Sequence, residues 1–334
     1  MNNTSSVDTL LERLYALNDE AEELDVRDYK SELEAKKYER TFWDVARGLL
    51  PKNALKEGSD GSGGFLVPDE FEKKLVQALE TANVMRRLGN VITTRFDIKL
   101  PTVVSHGSAA WVDEEMAIPD SDDTFGQIVI TAHKIASRII VSDELMEDAG
   151  FDLERYITEE FARRIGKKEE EAFLTGDGIG KPLGVIQSAL VGAVSGEAGT
   201  IGIDDVMDLI YSVGQRYRER AVWLMSGDAH RVLYKVKSAR GQNIWQPSLI
   251  EGQPDLLLGK PVIVSDAMPT VAAGNKPVLF GDFKYYVIGD RGRKSLKRLD
   301  ELYAATGQIG FIASQRVDGK LILPEAIKSL QVQS

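Results

Sequence analysis

Between Arg95 and Ile135 the chain alternates polar and apolar side chains, breaks off, and alternates again. Arg95-Phe96-Asp97-Ile98-Lys99-Leu100 keeps the two-residue period of a half-buried strand, and Ile128, Ile130 and Ala132 repeat that period on the return. A stretch rich in acidic and small side chains separates the two runs. The pattern predicts a long two-stranded arm. Such a ribbon is marginal in water on its own, and a long connection inside an ordered domain is functional or disordered, so the arm is expected to pack on another subunit.

Elsewhere the period is mostly helical. Leu10, Leu14, Leu17, Ala21 and Leu24 recur at spacings of four and three within residues 1–50, which predicts a short coiled-coil seam. Either this helix docks on its own domain or it serves association and scaffolding. Asn53 to Gly64 holds a glycine and serine run with the composition of a flexible linker, and the main boundary is placed there. Beyond it, Pro68, Asp69 and Glu70 suit the first turn of a helix whose apolar stripe is Phe71, Leu75 and Leu79. After the arm come a buried strand at Ile139-Ile140-Val141 and a helix start at Ser142-Asp143-Glu144. A longer helix is predicted from Asp152 to about Leu174, with Leu153, Ile157, Phe161 and Ile165 on one face and Gly176 as its stop. At 1.5 Å per residue it spans roughly 33 Å and can act as a spine.

The remainder alternates. Helices are expected over Ile203 to Glu219 and Asp228 to Lys237, with strands at Ala221 to Met225, Pro261 to Ser265, Pro277 to Phe280 and Tyr285 to Ile288. Two last apolar runs, Gln308 to Ser314 and Lys320 to Leu323, flank Val317-Asp318-Gly319, a sequence that signals a hairpin turn. The pattern is mixed α and β without an internal repeat.

Composition narrows the chemistry. The 334 residues, 43% hydrophobic and 28% charged, can bury a sizeable core, and two domains with appendages are the natural expectation. There is no cysteine, which removes disulfides, thiol nucleophiles and cysteine metal sites, and fits assembly in a reducing cytoplasm. No apolar run is long enough to span a membrane, and no basic start with an apolar core marks a secretory signal. A net charge of −11 repels phosphate backbones, so nucleic-acid binding is not expected to be the main task.

Four patterns carry candidate chemistry. Thr175-Gly176-Asp177-Gly178-Ile179-Gly180-Lys181-Pro182 resembles a phosphate-binding loop, but its first glycine is one position late, Pro182 replaces the magnesium-holding hydroxyl, and a helix precedes it instead of a strand. A structural turn is the alternative. Ser105-His106 and Asp228-Ala229-His230 offer the loose parts of a hydrolase without a nucleophile elbow, and His133 sits in an alternating strand. Asp113, Glu114, Glu115, Asp120, Asp122 and Asp123 could face a hard cation, yet they lack the spacing of a calcium loop; a solvated or neighbour-facing acidic tip is the other reading. Arg291, Arg293, Lys294, Lys297 and Arg298 form the one dense basic run, open to nucleic acid, to a neighbouring subunit or to solvent. No catalytic set, metal site or cofactor is expected.

With those residues in view, the chain resembles the tailed-bacteriophage major capsid proteins of the HK-ninety-seven type. Gly63-Gly64-Phe65-Leu66-Val67-Pro68 is similar to the start of that family's shell-forming part, and Ala110-Trp111-Val112 with Glu115 to its extended loop. The segment from Thr175 to Gly184 is similar to the loop after its spine helix. Gly259-Lys260-Pro261-Val262 with Met268-Pro269, then Phe280-Gly281-Asp282 and Tyr286, match later segments, all in order.

The resemblance implies an α+β phage major capsid fold with an N-terminal arm, an extended β-hairpin loop, a peripheral domain with a long spine helix, and an axial domain. It implies a helical scaffolding-like segment over residues 1–57, a linker and N-terminal arm over 58–90, and the extended loop over 91–135. The peripheral domain takes 136–200, the axial domain 201–300, and C-terminal strands returning to the peripheral domain 301–334. The implied function is self-assembly through pentamers and hexamers into an icosahedral head shell around double-stranded DNA, touched only non-specifically. An encapsulin-like nanocompartment is the alternative within the fold, and a soluble α/β enzyme the contrasting class. Other implied partners are a portal protein and a maturation protease that removes the first segment; no membrane is involved. Assembly is placed in the host bacterial cytoplasm and the product in the virion capsid. Trp111, Glu115, Asp120, Asp122, Asp123, Arg291 and Arg293 are the expected subunit contacts.

Some members of that family crosslink neighbours through a loop lysine and a late asparagine, helped by a glutamate. Here the arm has lysine only near its base, at Lys99 and Lys134, no asparagine follows Asn275, and no glutamate stands near Gln315 in the sequence. A shell without covalent crosslinks is expected.

Overall fold

Most of the strands and helices form where those periods place them. The computed structural model describes residues 34–51, 54–55, 65–66, 68–105, 124–147, 152–236, 245–246, 254–299 and 301–334. The seam from Leu10 to Leu24, most of the glycine–serine run and the acidic stretch from Asp113 to Asp123 lie outside them. The chain divides into two compact units: Met1–Leu75 with Ile139–Thr158 and Ser295–Ile312, and Val76–Arg138 with Glu159–Lys294 and Ala313–Ser334.

In the first unit, residues 34–47 are helical and bury Phe42 and Trp43. The Trp43 ring meets Phe71 edge-on at 5.2 Å, and Lys74 Nζ lies 2.5 Å from Glu154 and 3.5 Å from Glu39. A helix leaves its last carbonyls without partners inside itself; here Arg298 Nη1 donates to Val45 and Ala46 at 2.9 and 2.8 Å. Gly48 closes this end at φ +81°, a conformation that favours glycine. For residues 34–47, therefore, docking on their own unit is observed. Phe65–Leu66 pairs antiparallel with Ser295–Leu299.

The second unit is built on a seven-stranded sheet. Its strands run in the order Leu190–Ala198, Ile327–Gln333, Val278–Gly281, Val222–Met225, Lys260–Val264, Leu256–Leu257 and Trp245–Gln246. Alternation along the central strands feeds two cores. Trp223, Met225, Val278 and Phe280 join Val206 and Leu209 of the helix Ile203–Ser212 on one face. Leu224 and Leu279 join Met85, Phe173, Leu174 and Phe283 on the other. Period two on a sheet buried on both faces makes these runs continuously apolar.

The long helix runs Leu153–Thr175, capped at its start by Asp152 Oδ1, which accepts from the Arg155 amide at 3.1 Å. Ser142 likewise accepts from Leu145 at 3.3 Å, opening the short helix Asp143–Glu147. Three expectations are corrected. The helix expected over Ile203 to Glu219 is two, Ile203–Ser212 and Gln215–Arg218, parted at Val213-Gly214. Ile140 in the strand His133–Ser142 is exposed, so that strand is half-buried. The expected hairpin at Val317-Asp318-Gly319 does not exist: Gln308–Leu321 is one continuous strand. Its Gly319 is there for space, because a Cβ would stand 2.6 Å from the Tyr286 hydroxyl and 2.9 Å from Phe173.

Candidate functional site

The expected arm forms. Ile98–Ser105 and Thr124–Ile130 pair antiparallel from Ile98 opposite Ile130 to Ser105 opposite Thr124, and among the described residues this sheet has no third strand. Eight residues of strand carry the ribbon roughly 26 Å from its root. A ribbon so long is directed by what holds it at the base.

Four contacts hold the root, all within the second unit. Ile130 is fully buried, and Gly289 makes room for it: a Cβ there would approach Ile130 Cγ2 to 2.7 Å. Asp318, also fully buried, accepts from the Thr131 amide at 2.7 Å, the Thr131 hydroxyl at 2.9 Å and the Gly319 amide at 2.8 Å. Lys320 Nζ donates to the Val129 carbonyl at 2.6 Å. Arg291 pairs with Asp97 at the start of the outgoing strand. The residues that resembled a turn thus anchor the return strand of the arm.

Beneath the root lies a buried ion cluster. Arg86 Nε and Nη2 bond Glu169 at 2.8 and 3.0 Å, while its Nη1 and Nη2 bond Asp290 at 3.0 and 2.9 Å. Lys294 Nζ is 3.7 Å from Asp290, and the Gln315 amide donates to Glu169. Burial pushes the Glu169 carboxyl above its usual range despite the arginine. Burial also works against the Asp290 carboxylate, but Arg86 and Lys294 outweigh it and hold that group below its usual range. Asp290 neighbours Gly289, so cluster and arm root share one strand, Tyr286–Arg291, which runs parallel to Asn90–Thr94. The arrangement positions; it offers no nucleophile and base pair for catalysis.

The other sequence candidates fall as follows. The segment from Thr175 to Gly184 closes on itself: Asp177 bridges to Leu183, its carboxylate accepts from the Ile179 amide at 3.0 Å and sits 3.3 Å from Lys181 Nζ, and Gly178 and Gly180 take φ of +80° and +66°. This is the structural-turn alternative, with its lysine turned to its own aspartate. The basic run is not a uniform patch, since Arg291, Lys294 and Arg298 are engaged within the chain and Lys294 is buried. Trp111, Glu115, Asp120, Asp122 and Asp123 lie outside the described residues.

Sequence reasoning missed Arg86, Glu169 and Asp318. A signal for Glu169 existed: it continues the stripe Phe161, Ile165 and Phe173 at helical spacing, an acid where the pattern demands an apolar side chain.

Comparison with known proteins agrees with this geometry. A model of the phage capsid family matches residues 63–332. The major capsid protein of Klebsiella oxytoca phage phiKO2 is 25% identical over 247 residues, covering 70% of this chain and 57% of its own. That of Escherichia phage T5 is 27% identical over 187 residues, covering 50% and 40%. The chain spans about half the length of the curated relatives it matches. Among solved structures, the capsid of the native GTA particle is 29% identical with a TM-score of 0.65, covering 75% of this chain and 90% of that one. The family match takes in the arm, its root, the long helix and both cores, more than half of the sequence, and the chain belongs to the phage capsid family.

Proposed function

We propose that this chain is a major capsid protein whose copies assemble through pentamers and hexamers into a closed icosahedral shell around double-stranded DNA. What carries the reading is the family match over residues 63–332, which includes an arm whose two strands have no third partner among the described residues. The relatives named above are capsid proteins, which favours a head shell over an enzyme-filled nanocompartment. On this reading residues 1–57 act as scaffold and are a substrate for a maturation protease, 91–135 form the extended loop, 136–200 and 201–300 the peripheral and axial domains, and a portal protein occupies one vertex. The virion capsid is the final location. The acidic tip, with Trp111, Glu115, Asp120, Asp122 and Asp123, meets a neighbour near Arg293 and Arg291; at Arg291 it would join a pair that Asp97 already makes. DNA contact is non-specific, in keeping with the net charge of −11.

Electron microscopy of the protein expressed alone tests this. Shells, capsomers or tubes are expected; a small monodisperse species with hydrolase or nucleotide activity would overturn it.

A further inference from the structure

A cavity of about 360 Å³ opens in the second unit, between the long helix, the first residues of the strand His133–Ser142 and the loop Thr175–Gly184. Small-molecule sites run from about 300 to 1,000 Å³, so this one holds a compact ligand. Its lining is divided. Ile135, Ala172, Pro182 and Val317 supply an apolar wall, while Lys134, Lys168 and Lys181 bring one cation each from the strand, the helix and the loop.

Two acids also border the space, and both are engaged. Glu169 is buried, and Arg86 donates to each of its oxygens at 2.8 and 3.0 Å. Glu171 accepts from Lys168 Nζ at 2.6 Å, and Lys181 Nζ lies 3.3 Å from Asp177. Both lysines are exposed, and exposed pairs of this kind hold weakly, so each ammonium stays open to a stronger anion. Lys134 is exposed and pairs with no acid among the described residues. Beside Lys181, the Gly180 amide has no partner among the described residues either, and the space where a side chain would stand is open.

This balance selects the ligand. Three ammonium groups outnumber the one lining acid that Arg86 does not hold, which favours an anion, and a bare hydrated ion would leave the apolar wall against water. A phosphate ester carries close to two negative charges and three strong acceptor oxygens, and lysine meets it as a point charge. We propose that the cavity binds a small organic phosphate, its phosphate among Lys134, Lys168 and Lys181 and its apolar body against Ile135, Pro182 and Val317. The site lies within one copy of the chain and is independent of the shell function proposed above. It is also distinct from the phosphate-binding loop that the sequence resembles, in which a glycine loop wraps the anion with its own amides; here the loop supplies one wall, and two of the three cations come from helix and strand.

Calorimetric titration of the purified full chain with phenyl phosphate tests this, beside inorganic phosphate, which has the charge without the body, and phenol, which has the body without the charge. Saturable binding of phenyl phosphate is expected, with each of the other two weaker by about tenfold or more. Lys134→Gln removes the lysine that has no pair and should weaken phenyl phosphate about fivefold at low salt. Ala172→Leu keeps every charge and a good helix former but fills the cavity, and should bring phenyl phosphate down to the affinity of inorganic phosphate. Neither position is buried, so both variants should melt as the wild type does. No saturable binding of phenyl phosphate at millimolar concentration would overturn the proposal, as would inorganic phosphate binding as tightly as the ester, or wild-type affinity in either variant. Should Ala172→Leu fail to fold, Lys134→Gln decides alone.

Discussion

Arg86 holds two carboxylates that lie far apart in sequence, and burying such charges is costly unless each of them is partnered. The effective penalty for taking each ion out of water is several kcal/mol, offset only where geometry is good and the remaining lone pairs are satisfied. Here the guanidinium is shared between two carboxylates, Lys294 adds a second cation, and Gln315 donates to Glu169. The cluster ties the long helix, through Glu169, to the strand that roots the arm, through Asp290. The two acids answer to pH with opposite sign. Asp290, whose folded-state pKa is depressed, adds stability that is present above the ordinary aspartate range near 3.9 and is lost as pH falls below it. Glu169, whose pKa is raised, contributes at low pH and loses that contribution as pH rises through its folded value. Asp290→Asn should accordingly cost about 1–3 kcal/mol at pH 7 by urea unfolding. Its deficit relative to the wild type should shrink at pH 3, where the wild type has lost what the substitution removed. A deficit of the same size at both pH values would show that Asp290 is not the group responsible.

Asp318 decides where the arm points, as an element and not as a turn. Its carboxylate accepts from the backbone and hydroxyl of Thr131, the first residue after the return strand, while Ile130 fills the space left by Gly289. Asp318→Ala leaves the Thr131 amide unpaired, a loss of about 1–3 kcal/mol confined to the root. Limited proteolysis should cut within residues 98–130 several times faster in that variant, with the cores of the second unit unfolding as before. Cleavage at the wild-type rate would rule out Asp318 as the anchor. The same residue explains a limit of the sequence. Asp-Gly between apolar runs has the composition of a hairpin turn, and nothing local tells that Gly319 exists to clear Tyr286 and Phe173. The arm and the long helix were legible because their periods run unbroken over many residues. Leu190–Ala198 and Ile327–Gln333 were not, since their pairing shifts register between Ser329 and Leu330 and again between Gln331 and Gln333, which breaks alternation. At Gly192, moreover, a strand passes so close to Leu209 that only glycine fits, and a glycine inside a strand weakens its signal.

At the scale of the whole molecule, the proposed shell raises the question of whether one copy could be covalently bonded to the next. An isopeptide bond needs a lysine amine, a side-chain amide open to attack, and an acid to move the proton. Lys99 and Lys134 are exposed, but Lys99 sits opposite Val129 near the arm's root, where the ribbon begins. The late amide that does stand beside an acid, Gln315 with Glu169, is buried and spends its amide hydrogen on that carboxylate. A neighbour's amine has no route to it without opening the ion cluster around Arg86. Asn275 donates its amide to the Thr270 carbonyl, and no asparagine follows it. On the proposed shell function, cohesion between copies is then noncovalent and reversible in denaturant. Particles boiled in detergent should run as a single subunit-sized band on a denaturing gel. A ladder at multiples of the subunit mass would show that a lysine reaches an amide after all, and would place the opening of the Gln315 site within the assembly process.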